Sequence, residues 1–135
     1  MRILIVEDWP DTAQTTQLLL GLWGYDCSVA RDGPAALAAA AALRPEVVLL
    51  DLALPGMDGY EVARRLREQP ATAAAFLVAV TGHGQEHEVR RCWEAGFDRH
   101  FLKPVEPQEL RDLLAEQAAR RRCREELGTP APGPP

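Results

Sequence analysis

Val47-Val48-Leu49-Leu50-Asp51-Leu52-Ala53-Leu54-Pro55-Gly56-Met57-Asp58-Gly59 is the stretch on which the fold turns. Its first four residues are apolar at both alternating positions. A strand of that kind is buried on both faces, as in a parallel sheet. It ends on a carboxylate, Asp51, and Gly56 and Gly59 bend the chain that follows.

Four similar runs surround it: Ile3–Val6, Tyr25–Ala30, Phe76–Val80 and His100–Leu102. Helical patterns lie between them. Residues Asp11–Leu22 carry Leu18, Leu19 and Leu22, and Gly33–Leu43 is almost all alanine, the strongest helix former. Gly59–Glu68 places Val62, Ala63 and Leu66 on one stripe, and Glu86–Ala95 groups Val89, Cys92 and Trp93. Pro107–Arg122 carries Leu110, Leu113 and Leu114, with Pro107 suited to a first helical turn.

Five βα units in a row predict an α/β fold with right-handed crossovers. A closed eight-unit barrel does not fit in 135 residues. The expectation is a doubly wound five-stranded parallel sheet, order 2-1-3-4-5, in a flavodoxin-like three-layer sandwich. Residues 1–122 form one domain in this reading. Residues 123–135, rich in proline, form a disordered tail or linker stub.

Bulk properties narrow the function. The net charge of −5 argues against a nucleic-acid surface spread over the domain. No apolar run approaches the ~20 residues of a membrane span, and the N-terminus turns acidic too soon for a signal peptide, so a cytoplasmic location is expected. Cys27, Cys92 and Cys123 support neither a disulfide framework nor a zinc site. Arg120–Arg122 and Arg124 are balanced by Glu125 and Glu126 and read as a helix terminus complementing its dipole.

An open α/β sheet binds ligands beyond the carboxyl ends of its strands, where the strand order reverses. Here that point lies between strands one and three. Glu7 and Asp8 follow the first and Asp51 follows the third, while Thr81 ends strand four and Lys103 follows strand five on the same edge. Three crowded acids repel one another unless Lys103 and a hard divalent cation, Mg²⁺ or Mn²⁺, offset them. Asp51 then becomes the nucleophile of a phosphoryl transfer, with Thr81 and Lys103 able to hold phosphoryl oxygens.

Four motifs spell a familiar order: Ile3-Leu-Ile-Val-Glu-Asp8, the stretch from Val47 to Gly59, Val80-Thr81-Gly82 and Phe101-Leu-Lys-Pro104. Over residues 2 to 118 the chain resembles the receiver domains of bacterial two-component response regulators, either stand-alone and chemotaxis-regulator-like or carried by hybrid histidine kinases. The resemblance implies that Asp51 is the phospho-acceptor. It implies Asp8 as a direct metal ligand, Glu7 acting through water, and the Ala53 carbonyl completing the set. Thr81 and Lys103 would read the phosphoryl group, and the Lys103–Pro104 bond would be cis. The donor would be a histidine kinase or histidine phosphotransfer domain. The surface of helix four, strand five and helix five would alter binding to an unnamed output protein, and a weak homodimer could form through the same face. No external substrate is turned over in this reading, and neither nucleic acid nor membrane is a direct partner.

Two positions depart from the pattern. His100 stands where receivers carry a Tyr or Phe switch residue, and reads either as an inward-turning switch partner of Thr81 or as an ordinary strand histidine. Trp9 follows the acid pair where a polar residue is expected, and either shields the pocket or covers apolar surface. His83 and Ala53 sit two residues after Thr81 and Asp51, where family members tune water access. A haloacid-dehalogenase-type phosphatase is disfavoured, because Ala53 stands where its second acid belongs. A flavin-binding relative is disfavoured, because Glu7-Asp8-Trp9 would repel phosphate.

Overall fold

A computed structural model describes residues 1–54, 56–82 and 86–126. Residues Met1–Lys103 form one compact unit, and the residues from Pro104 onward form another. Chain order in the first unit is β1 Arg2–Val6, α1 Pro10–Leu22, β2 Asp26–Ala30, α2 Gly33–Leu43, β3 Val47–Asp51, α3 Gly59–Glu68, β4 Phe76–Thr81, α4 Glu86–Ala95 and β5 Arg99–Leu102. The second unit contains α5, Pro107–Glu126.

All five strands pair in parallel in the order β2-β1-β3-β4-β5, as the sequence predicted. The period of two sorts the strand side chains onto two faces. Leu4, Val6, Val48, Leu50, Leu77 and Ala79 join one buried cluster with Ala36 and Ala40 of α2, Val62, Ala63 and Leu66 of α3, and Cys92 and Ala95 of α4. The alternate residues Ile3, Ile5, Val47, Leu49 and Val78 are buried as well. Since β2 and β3 flank β1 on opposite sides, right-handed crossovers put α1 on the face opposite α2, α3 and α4.

The helix termini explain much of the local structure. Asp32 caps α2 by accepting from the Ala35 N–H at 2.8 Å, and Asp58 caps α3 by accepting from the Tyr60 N–H at 2.9 Å. Trp9, at the N-cap of α1, provides no such bond, and Pro10 begins the helix. The loop after Asp51 needs its glycines for two reasons. Gly56 has φ +82°, the left-handed region, whereas a Cβ on Gly59 would lie 2.9 Å from the Leu52 Cα. Gly56 therefore bends the loop as expected, while Gly59 permits close packing.

Some expectations shift. Leu18 and Leu22 do not form the packing face of α1; they are 67% and 84% exposed, and Ala13 and Leu20, two helical turns apart, are buried instead. Trp93 also points to solvent, leaving Cys92 and Ala95 as the buried positions of α4. The last helix continues past Arg122 to Glu126, so residues 123–126, expected in the tail, are helical. Residues 127–135 of that tail lie outside the described residues.

The end of the sheet where the strands begin is tied by arginines. Arg67 donates to the carbonyls of Gly96, Ala73 and Ala75 and to Asp98 Oδ2 at 2.8 Å. Asp98 Oδ2 also accepts from the Leu77 N–H at 2.9 Å. Arg2 does similar work, donating to the carbonyls of Leu43 and Arg44 beside Glu46. Among the described residues no helix is long and apolar enough to cross a membrane.

Candidate functional site

The carboxyl ends of β1, β3, β4 and β5 meet at one edge. Register places Asp51 beside Val80 and Thr81 beside Leu102, and the Lys103 N–H donates to the Thr81 carbonyl at 2.8 Å. Thr81 ends β4 as expected, whereas Asp51 is the last residue of β3 rather than the first residue after it, because parallel pairing persists to that position. The Glu7 N–H donates to the Ala30 carbonyl at 3.0 Å, which fixes the start of the β1–α1 loop.

Glu7, Asp8 and Asp51 each present a carboxylate oxygen within 4.8 Å of the others. Glu7 and Asp51 are buried and Asp8 is exposed. Lys103 Nζ lies 2.6 Å from Asp51 Oδ2, and the Ala53 N–H donates to Asp51 Oδ1 at 2.9 Å. All four charged residues singled out in the sequence are thus near neighbours, and Thr81 stands buried at the end of β4.

The electrostatics contain a feature that spacing did not reveal. Burial, then the hydrogen bond and negative charge of Asp51, push the Glu7 carboxyl up to about 8. Burial also pushes Asp51 upward, but hydrogen bonds from Glu7, Lys103 and the Ala53 N–H overcome it and hold Asp51 below the usual carboxylate range. The pair therefore shares one proton at neutral pH, with the Glu7 O–H donating to the Asp51 carboxylate. Burial lowers the Lys103 ammonium, and contact with Asp51 reverses that and leaves it raised. The acids were expected to rely on Lys103 and a cation; a retained proton is a third device.

The residues fit a hard cation. Glu7 Oε2 is buried without a hydrogen-bond partner, and the surrounding donors are all oxygens, the set that Mg²⁺ and Mn²⁺ accept. Zinc would call for nitrogen or sulfur, which the cluster lacks.

The remaining candidates vary. His100 is half-buried, and its Nε2 is buried with no hydrogen-bond partner. Trp9 is 61% exposed. His83 lies outside the described residues. Asp58 and Tyr60 gained no role from sequence beyond their place in the loop and helix. Arg91 of α4 spans both, 3.5 Å from Asp58 Oδ2 and with its guanidinium carbon 4.1 Å from the Tyr60 ring centroid. No periodicity in the sequence could have paired residues that far apart.

This geometry agrees with comparison to known proteins. The family model "Response regulator receiver domain" matches residues 3–115. The DNA-binding response regulator MtrA of Mycolicibacterium smegmatis is 41% identical over 109 residues, which cover 81% of this chain and 46% of that protein. The sensor histidine kinase RcsC of Salmonella typhi is 37% identical over 120 residues, 89% of this chain and 12% of that protein. The chain thus spans half or less of the length of these curated relatives. Among solved structures, a receiver domain protein of Methanospirillum hungatei matches with a TM-score of 0.82 at 26% identity, covering 90% of this chain and 95% of that one. The receiver domain of a Pseudomonas aeruginosa sensor histidine kinase matches with a TM-score of 0.79 at 29% identity, covering 86% and 95%. That structure holds a magnesium ion coordinated in its active-site cleft. Sheet order, acidic edge and sequence similarity agree on one assignment: the chain belongs to the response regulator receiver domains of two-component signalling systems.

Proposed function

We propose that Asp51 is the residue that takes the phosphoryl group in this receiver, and that Lys103, Thr81 and the acids Glu7 and Asp8 serve that step. The observation that carries the reading is the 2.6 Å contact between Lys103 Nζ and Asp51 Oδ2 beside the three-carboxylate cluster. It supports reading Asp51 as a carboxylate held in its charged form, oriented by Lys103 and by the Ala53 N–H.

The Asp51 carboxylate is the nucleophile. One oxygen attacks the phosphorus of the donor, a bond to the donor's leaving atom breaks, and the leaving group departs with the electron pair. Lys103 then turns from the carboxylate to an oxygen of the new acyl phosphate, and the Thr81 hydroxyl donates to another. Glu7, Asp8, Asp51 and the Ala53 carbonyl would hold a divalent cation, Mg²⁺ or Mn²⁺, which when bound neutralises the charge on the transferring group. Glu7 would have to give up its proton to join that set.

The donor in this reading is a histidine kinase or a histidine phosphotransfer domain, in the cytoplasm. The output is altered binding of a protein partner at the α4, β5 and α5 elements, with His100 as the switch side chain coupled to Thr81. The Lys103–Pro104 peptide bond is cis in this reading. Incubation with acetyl phosphate and Mg²⁺, followed by intact mass measurement, tests the central claim. One phosphoryl group is gained by the native chain and none by Asp51→Ala; equal labelling of both would overturn it.

A further inference from the structure

A second polar feature lies one strand away from the acidic cluster. Between α1 and the end of β2 there is a solvent-open pocket of about 320 Å³, lined by exposed Pro10, Gln14, Gln17 and Arg31, half-buried Val29 and buried Ala13. That is room for on the order of ten water-sized groups, and falls at the lower end of the range for small-molecule sites.

Its lining is divided by chemistry. Pro10, Ala13 and Val29 supply an apolar side, while Arg31, Gln14 and Gln17 supply donors. Gln17 is held in place by donating through Nε2 to the Cys27 carbonyl at 3.1 Å. Arg2, Arg67 and Arg91 each meet a carboxylate. The Arg31 guanidinium has no ion pair or hydrogen bond among the described residues. The same cavity reaches Pro10 at the first turn of α1, whose N-cap Trp9 provides no side-chain bond. Asp11 in the first turn offsets the positive end of that helix, so Arg31 is the cationic group of the lining.

We infer that this cavity binds a small aliphatic monocarboxylate, its carboxylate on Arg31 and its carbon chain against Pro10, Ala13 and Val29. A guanidinium fork matches a carboxylate in geometry, and the apolar side matches a short carbon chain. Charge selects among anions. Glu7, Asp8 and Asp11 stand close by in the chain, and the protein carries −5 overall, so a monoanion is repelled less than a phosphate dianion. The inference does not depend on Asp51 chemistry.

Butyrate is a suitable probe, with butyramide as its neutral counterpart and inorganic phosphate as the competing anion. Each is titrated into the full chain carrying Asp51→Asn, without metal, while backbone amide resonances are followed. Saturable shifts at Gln14, Gln17, Val29 and Arg31 are expected for butyrate. Arg31→Met, which keeps the stem and loses the charge, weakens that binding about tenfold, and Gln14→Ala weakens it less. Four results overturn the inference: no saturable shift with butyrate, equal binding of butyramide, tighter binding of phosphate, or binding unaffected by Arg31→Met. Because no phosphodonor is present, failure here is separate from failure of the proposed phosphorylation.

Discussion

Arg67 of α3 reaches across to Asp98, just before β5, with Nη2 2.8 Å from Oδ2, and the same side chain also donates to the carbonyls of Gly96, Ala73 and Ala75. One residue thus satisfies backbone acceptors from two connections, β4's entry and β5's entry. Replacing it with alanine leaves part-buried carbonyls and a carboxylate without their donor. Arg67→Ala is expected to cost about 2–3 kcal/mol, read from urea unfolding midpoints. Arg67→Lys recovers only part of that loss, since an ammonium cannot reproduce the planar fork.

The contact between Lys103 and Asp51 predicts a split outcome for Lys103→Met. Phosphoryl gain from acetyl phosphate slows by about tenfold or more, because the pairing to the transferred group is lost. Mg²⁺ binding tightens by about threefold, because the ammonium no longer competes with the cation for Asp51. Both are measured on one preparation, by mass spectrometry and by calorimetry. A loss of both would point to misfolding instead.

Glu7 gives a pH dependence with a definite sign. Its carboxyl titrates near 4.5 when exposed and about 8 in the folded, metal-free chain. The folded state therefore holds a proton that the unfolded state releases across that interval. Its contribution to stability is complete below about 4.5 and is lost as pH rises toward 8. Asp51, shifted downward, acts in a lower window: its contribution is present above the ordinary value of 3.8 and fades only as pH falls below it. Denaturant midpoints of the metal-free protein should therefore fall between pH 5 and 8.5. Glu7→Gln, neutral at every pH, should flatten that slope.

Gly59 and Gly56 separate two kinds of glycine requirement. A Cβ at Gly59 would meet the Leu52 Cα at 2.9 Å and the Leu50 Cδ2 at 3.1 Å, and backbone cannot yield as a flexible side chain can. Gly59→Ala should cost about 1–3 kcal/mol through overpacking. Gly56→Ala meets nothing within 4 Å and is strained only by its φ of +82°, so about 1 kcal/mol is expected. Thermal unfolding of the two variants, side by side, orders them.

Much of this was legible in the sequence because the central strands are apolar at both parities. Val47–Leu50 and Ile3–Val6 read as interior strands of a parallel sheet, and that reading set the edge where Asp51, Glu7 and Asp8 would meet. Helix faces were harder. In α1 the leucines at 18 and 22 suggested a packing stripe, yet the structure exposes them and buries Ala13 and Leu20 instead. Contacts between distant elements were beyond reach: nothing local relates Arg91 to Tyr60, or Arg67 to Asp98. The proton shared by Glu7 and Asp51 was hidden for another reason. It arises from burial, and spacing alone does not report the depth of a side chain.

The arginines that tie down the start of the sheet also polarise the molecule. Arg2 and Arg67 spend their donors on backbone at the edge where strands enter, while carboxylates gather where strands leave. The sheet is thus held like a cantilever, clamped by arginines at one end and joined at the other mainly through contacts to the Asp51 carboxylate. Displacements provoked by charge at the acidic end need not disturb the clamp, so loops there can change shape without loosening the beam that carries them.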